Sequence, residues 1–231
     1  MSVNFLSAKS FGYGALARSS KVCAAALAVF VGLSGGVSAE TVTIAALGDS
    51  LTHGYGLPAG QGFVPQLQAW LDANGADAKI LNAGVSGDTT AGGLSRVDWT
   101  LTDDVDAMIV ELGGNDLLRG VDPDVSRQNL SGILSAAQAK EVDVLLVGIE
   151  GTANFGADYK QRFDAMYPDL AQEFGTLYYP NFFEGIAAGG VTPETLRNFM
   201  QPDGIHPNAE GVKLIIAAIG PSVLELVNAA Q

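Results

Sequence analysis

Ser50 stands in Gly48-Asp49-Ser50-Leu51, directly behind the apolar run Val42-Thr43-Ile44-Ala45-Ala46-Leu47, so its hydroxyl falls where a buried strand would emerge into a loop. A serine hydroxyl is a weak nucleophile until a base within hydrogen-bond reach takes its proton and nearby donors hold the oxyanion that forms. The chain has two histidines, His53 and His206. His206 closes Asp203-Gly204-Ile205-His206, in which a carboxylate lies three residues upstream and glycine permits a tight turn. Such a turn brings the carboxylate to the imidazole Nδ1 proton, fixes the tautomer and leaves Nε2 for the serine. His53 has no carboxylate at comparable spacing apart from Asp49, and it reads as a bystander in a loop at the pocket mouth.

Two further loops supply candidate donors. Gly84-Val85-Ser86-Gly87-Asp88 follows the apolar segment Ala78 to Ala83, and Gly113-Gly114-Asn115-Asp116 follows Met108 to Leu112. Glycines at such junctions let the backbone approach a ligand and turn N–H groups toward it, and the Asn115 amide is a neutral donor suited to an oxyanion.

These loops need a scaffold that brings them together. Apolar runs at Val42 to Leu47, Ala78 to Ala83, Ala107 to Leu112, Val142 to Ile149 and Thr176 to Tyr179 have the length and composition of buried strands. Between and after them lie apolar stripes at helical spacing: Leu130, Ile133, Leu134 and Ala137; Phe163, Met166, Tyr167 and Leu170; Val212, Ile215, Ile216 and Ile219. Asp122-Pro123 and Thr192-Pro193 each put a capping side chain before proline at the first helical position. Pro168 and Pro221 predict a kink or break in two helices. Strands alternating with helices make a parallel sheet covered on both faces, which binds ligands outside the carboxyl ends of its strands. Ser50, Gly87 and Asn115 should therefore meet at one edge, and the last helix should begin there to bring His206 over Ser50.

In this combination the chain resembles the GDSL, or SGNH, hydrolase family, and within it the bacterial acyl-CoA thioesterase I, lysophospholipase and arylesterase group. Gly48 to Leu51 matches the nucleophile block, Gly84 to Asp88 the glycine block, Gly113 to Asp116 the asparagine block, and Asp203-Gly204-Ile205-His206-Pro207-Asn208 the acid-base block, in family order. The resemblance implies a three-layer α/β/α fold around a central, mostly parallel five-stranded sheet of flavodoxin-like type. It implies Ser50 as nucleophile, His206 as base and Asp203 as its orienter. It further implies an oxyanion hole from the Ser50 and Gly87 backbone N–H groups and the Asn115 side chain, with Gly84 competing for the glycine role. No metal and no other cofactor is needed.

Residues 1–39 read as a secretory signal peptide, with Lys9, Arg18 and Lys21 before an apolar stretch from Val22 to Gly32 and a cleavage site at Val37-Ser38-Ala39. Gly32-Leu33-Ser34-Gly35-Gly36 fits the nucleophile-elbow pattern but lies inside that leader. Residues 40–231 then form a single domain, periplasmic or secreted and without a stable membrane anchor. The lone cysteine, Cys23, also falls in the leader, so the remainder forms no disulfide. That remainder carries nine basic against 25 acidic residues, net −16, which argues against nucleic acid or an anionic membrane as partner. Asp103, Asp104 and Asp106 read as a solvated turn rather than a cation site.

The partner expected is a small acyl ester or thioester. Leu117, Leu118 and Val121, with Phe155, Phe182, Phe183, Phe199 and Met200, are candidates for an acyl-chain groove. An esterase or thioesterase acting on medium or long acyl groups, lysophospholipids and aryl esters included, is the leading reading. A carbohydrate O-acetyl esterase would use the same triad. A non-catalytic binding module on the same fold would have no need of an oriented base.

Overall fold

A computed structural model describes residues 41–188 and 192–231, so the leader expected at 1–39, with Ser34 and Cys23, lies outside the described residues. Five strands, β1 (Val42–Gly48), β2 (Ala78–Gly84), β3 (Ala107–Glu111), β4 (Asp143–Val147) and β5 (Leu177–Tyr179), form one sheet in the order β2-β1-β3-β4-β5. Every pairing is parallel, so the sheet is wholly rather than mostly parallel. β1 and β3 are buried along nearly their whole length, as expected of strands covered on both faces.

The helices described are α1 (Ser50–His53), α2 (Phe63–Ala73), α3 (Thr90–Thr100), α4 (Gly114–Arg119), α5 (Pro123–Ala139), α6 (Ala157–Phe174), α7 (Glu184–Ala188), α8 (Pro193–Leu196) and α9 (Ala209–Ala229). α3, α5 and α6 cover one face of the sheet, and α2, α7 and α9 the other. The three apolar stripes anticipated on α5, α6 and α9 are all buried. Asp122 caps α5 by accepting from the Asp124 amide at 3.0 Å, and Thr192 caps α8. Pro168 and Pro221 break neither helix: α6 and α9 run through them without interruption. α9 is long and apolar enough to span a bilayer, yet Val212, Ile215, Ile216, Ile219 and Val223 are buried within the protein.

Helix α3 carries no strong apolar stripe and contains Gly92 and Gly93, poor helix formers. Tertiary contacts hold it. Thr89 caps its first turn, and Thr90 gives its backbone N–H and its hydroxyl to the buried Asp116 at 2.8 and 2.6 Å. Gly93 lies against Leu112, close enough that a methyl group would collide with it.

The register sets where the loops leave the sheet. Gly48, the last residue of β1, lies opposite Gly84 on β2 and Glu111 on β3, both the last residues of their strands. The strand order reverses at β1, whose neighbours run outward to β2 on one side and β3 on the other, which is the position at which open α/β sheets form their ligand crevice. A side chain at Gly48 would meet the Thr52 hydroxyl and the Glu111 carbonyl. Replacing Gly48 with alanine should destabilise the protein by about 1–3 kcal/mol, the usual cost of overpacking a filled site. Chemical denaturation checks this, and an unchanged midpoint would mean that the turn yields.

Candidate active site

Ser50 begins α1, and Asp49 rather than Ser50 caps it, accepting from the Leu51 amide at 2.9 Å. The serine side chain is thus free of capping duty. Its Oγ donates to His206 Nε2 at 2.8 Å, and His206 Nδ1–H donates to Asp203 Oδ2 at 2.6 Å. The other Asp203 oxygen accepts the backbone amides of Ile205 and His206 at 2.9 and 3.0 Å. Gly204, at φ +68°, turns the chain so that carboxylate and imidazole face each other.

The acid-base loop is tied to the nucleophile turn. Gln201 donates twice from Nε2, to the Tyr55 carbonyl at 2.8 Å and the Pro207 carbonyl at 3.0 Å. The Tyr55 ring lies 4.8 Å from the imidazole, centroid to centroid. Behind them Asn208 caps α9, its Oδ1 accepting from the Glu210 and Gly211 amides at 3.0 Å each. α9 therefore starts at the same sheet edge as the serine turn, as the sequence required.

Gly87 and Asn115 line the same cavity as Ser50 and His206, whereas Gly84 does not. Gly84 ends β2 with its α-carbon against the His53 backbone, too close for any side chain, so its place is a packing requirement. Gly87 sits at φ +88°, a conformation that favours glycine. Successive residues of its loop are each held by a different element. Ser86 Oγ is 3.1 Å from His53 Nδ1, the Gly87 carbonyl accepts from Arg119 Nη2 at 2.9 Å, and Asp88 accepts from Arg96 Nε at 2.7 Å. Arg96 also donates to the carbonyls of Ala83 at 2.7 Å and Gly48 at 2.9 Å, joining the ends of β1 and β2. His53 is outside the cavity lining and contacts Ser86, not the Ser50 hydroxyl.

Asn115 donates one Nδ2 proton to Asp49 Oδ2 at 3.0 Å, and the residue lines the cavity. Asp49 and Glu111 are both buried. Burial pushes the Asp49 carboxyl up, opposed by bonds from Leu51 and Asn115 and by the His206 imidazole. Glu111 is held well above the ordinary carboxylate range by burial and then by the neighbouring charge of Asp49.

The cavity has a volume of about 890 Å³ and a mostly apolar wall that includes Leu117, Leu118, Ile149, Phe183, Ile186 and Met200. Of the residues expected in an acyl groove, Leu117, Leu118, Phe183 and Met200 are in this wall. Val121 is not: the chain reverses at Gly120, and the Val121 carbonyl accepts from the Tyr159 hydroxyl at 2.9 Å. Phe182 is fully buried in the core, Phe155 packs on Tyr159, and Phe199 stays out of the wall. Ile149, Ile186, Leu196 and Ile205 complete it from segments whose sequence carries no such signal. Among the described residues no cluster of His, Cys, Asp and Glu could hold a metal. Asp104 accepts from Thr102 and Asp106 from the Thr43 amide, as turn and strand-edge contacts do.

Comparison with known proteins places the chain in a family. Residues 46–214 match the model of the GDSL-like Lipase/Acylhydrolase family. The chain belongs to that family. It is similar to the esterase TesA of Pseudomonas aeruginosa, 38% identical with 81% of this chain and 90% of that protein covered. It is also similar to the thioesterase 1/protease 1/lysophospholipase L1 of Escherichia coli, 36% identical over 83% of this chain and 88% of that one. The crystal structure of AlinE4, an SGNH-hydrolase family esterase, superposes with a TM-score of 0.66 at 42% identity, covering 80% of this chain and 96% of that one.

Three hydrogen bonds, the His206 ring first and then the Ile205 and His206 amides, lower the Asp203 carboxyl to about 2. A carboxyl whose folded pKa is depressed contributes stability above its unfolded value, and that contribution is lost as pH falls through the folded one. Between about pH 4 and pH 2 the melting temperature of the native chain should therefore fall more steeply than that of Asp203→Asn. Parallel slopes in a thermal-melt series would remove this assignment.

Proposed function

We infer that this chain is a serine hydrolase of carboxylic ester and thioester bonds that works through an acyl-serine intermediate. The observation that carries the reading is the unbroken chain from Ser50 Oγ to His206 Nε2 and from Nδ1 to Asp203, opening into an apolar cavity. Ser50 attacks the acyl carbonyl while His206 takes its proton, and Asp203 holds the ring tautomer and offsets the imidazolium charge. His206 then protonates the leaving alcohol or thiol. In the second step His206 deprotonates water, which attacks the acyl-serine and releases the acid.

The carbonyl oxygen gains negative charge in both tetrahedral stages. The Ser50 and Gly87 backbone N–H groups and the Asn115 amide are assigned to hold it, a reading supported by their common place on the cavity wall. Leu117, Leu118 and the neighbouring apolar wall are assigned to the acyl chain, because a wall with few polar groups binds alkyl carbon and leaves orientation to the oxyanion donors. Aryl esters, acyl-CoA and lysophospholipids are the substrate classes proposed. Residues 1–39 are proposed as an export signal, which would make the enzyme periplasmic or secreted.

A fluorophosphonate should label the purified protein stoichiometrically, with the adduct on Ser50, and Asn115→Ala should lower kcat by about 10² to 10³-fold, the scale of one lost oxyanion donor. Peptide mass spectrometry with no adduct on Ser50, or wild-type turnover in the variant, would withdraw the respective role. Leu118 is 60% exposed at the cavity rim, so Leu118→Trp should narrow the passage without disturbing the core. Its kcat/KM across nitrophenyl esters of increasing length should shift toward short chains. An unaltered length profile would exclude Leu118 from the acyl path.

A further inference from the structure

Two acidic side chains lie buried behind the nucleophile turn. Asp49 and Glu111 are 2% and 0% exposed, respectively. The salt bridges present in the described residues include neither of them. Two carboxylates side by side in a water-poor site repel, which favours one proton held between them.

Their hydrogen bonds are unequal. Asp49 accepts a backbone N–H from Leu51 on one oxygen and the Asn115 amide on the other, at 2.9 and 3.0 Å. Both bonds, and the His206 imidazole beside them, favour an ionised acceptor, against burial and the neighbouring Asp116 carboxylate. Glu111 has the Thr52 hydroxyl on Oε2 at 2.9 Å and the Asp49 and Thr52 backbone N–H groups nearby, while Oε1 is buried without a hydrogen bond. An ionised carboxylate with a bare oxygen in the core is strongly disfavoured, whereas a neutral acid tolerates it.

We propose that Asp49 carries the single charge of this pair and is a positioning residue that aims the Asn115 amide at the oxyanion, while Glu111 remains a neutral acid supporting the Asp49–Thr52 turn. An amide has two N–H protons on one nitrogen. Anchoring one on a charged acceptor fixes the plane of the group, and with it the direction of the other proton. Glu111 must be acidic in shape but not in charge: a second anion would repel Asp49, and a smaller side chain would leave the Thr52 hydroxyl unpaired. The proposal rests on Asn115 acting as an oxyanion donor.

The test combines steady-state kinetics and infrared spectroscopy on Asp49→Asn, Glu111→Gln, Asn115→Ala and the Asp49→Asn/Asn115→Ala pair. Asp49→Asn must set an N–H₂ against either Leu51 or Asn115, and kcat should fall by up to about 10²-fold with KM little changed, the scale of a displaced catalytic group. Glu111→Gln should keep kcat within about threefold, and on the Asn115→Ala background Asp49→Asn should add no more than about threefold, as coupled sites do. At neutral pH the infrared spectrum of the native protein should show a protonated-carboxyl C=O band that is missing in Glu111→Gln.

A large kcat loss in Glu111→Gln, or independent multiplication of the Asp49 and Asn115 effects, would overturn the proposal. So would absence of the infrared band. If Asp49→Asn fails to fold, Glu111→Gln and the band still decide the charge assignment. Wild-type turnover in Asn115→Ala would instead sink the oxyanion reading itself, while the band would continue to report on the acid pair.

Discussion

The site depends on the register of three strand ends. Gly48, Gly84 and Glu111 lie side by side across the sheet, so the nucleophile turn, the glycine loop and the asparagine helix leave it at one level. A slip of one residue in a parallel strand would turn each side chain to the opposite face and carry its loop out of reach. Small residues at Gly48 and Gly84 let α1 and its exit loop lie directly on these ends, and Arg96 fastens two of them through the Gly48 and Ala83 carbonyls.

The acid-base pair reaches this edge from far along the chain. Its position is set by α9, which packs on the sheet through Val212, Ile215, Ile216 and Ile219, and by the Asn208 cap that starts the helix at the correct level. Gln201 then closes the loop onto the nucleophile side through the Tyr55 carbonyl. Burial thus supplies the stability, while a few directed hydrogen bonds supply the geometry. The same division holds in the glycine loop, where His53, Arg119 and Arg96 each hold one of three successive residues. Ser50, His206 and the loop that holds Gly87 are thus each fixed by contacts from elements outside the cavity.

Much of this was legible in the amino-acid order. Continuous Val, Ile and Leu runs specify strands buried on both faces, and the stripes on α5, α6 and α9 specify what those helices cover. Asp203 and His206 are three residues apart, so their mutual geometry is local, and a glycine between them suffices to form the turn. α3 was not legible, because Gly92 and Gly93 weaken its helical signal and its hold on Asp116 is made across the fold. Pro168 and Pro221 break neither helix: the buried stripes of α6 and α9 hold each continuous past its proline.

What the sequence determined by itself is therefore the chemistry available and the architecture that could present it: a serine behind a strand, an oriented imidazole and a doubly covered parallel sheet. Only the tertiary structure decided which glycine faces the cavity, that His53 contacts Ser86, and that Val121 turns away while Ile149, Ile186 and Ile205 join the wall. It alone brought Asp49 and Glu111 together behind Ser50. The physical reason is range: strand and helix patterns arise from neighbours along the chain, whereas cavity walls and buried carboxyl pairs arise from residues whose separation in sequence carries no trace of their distance in space.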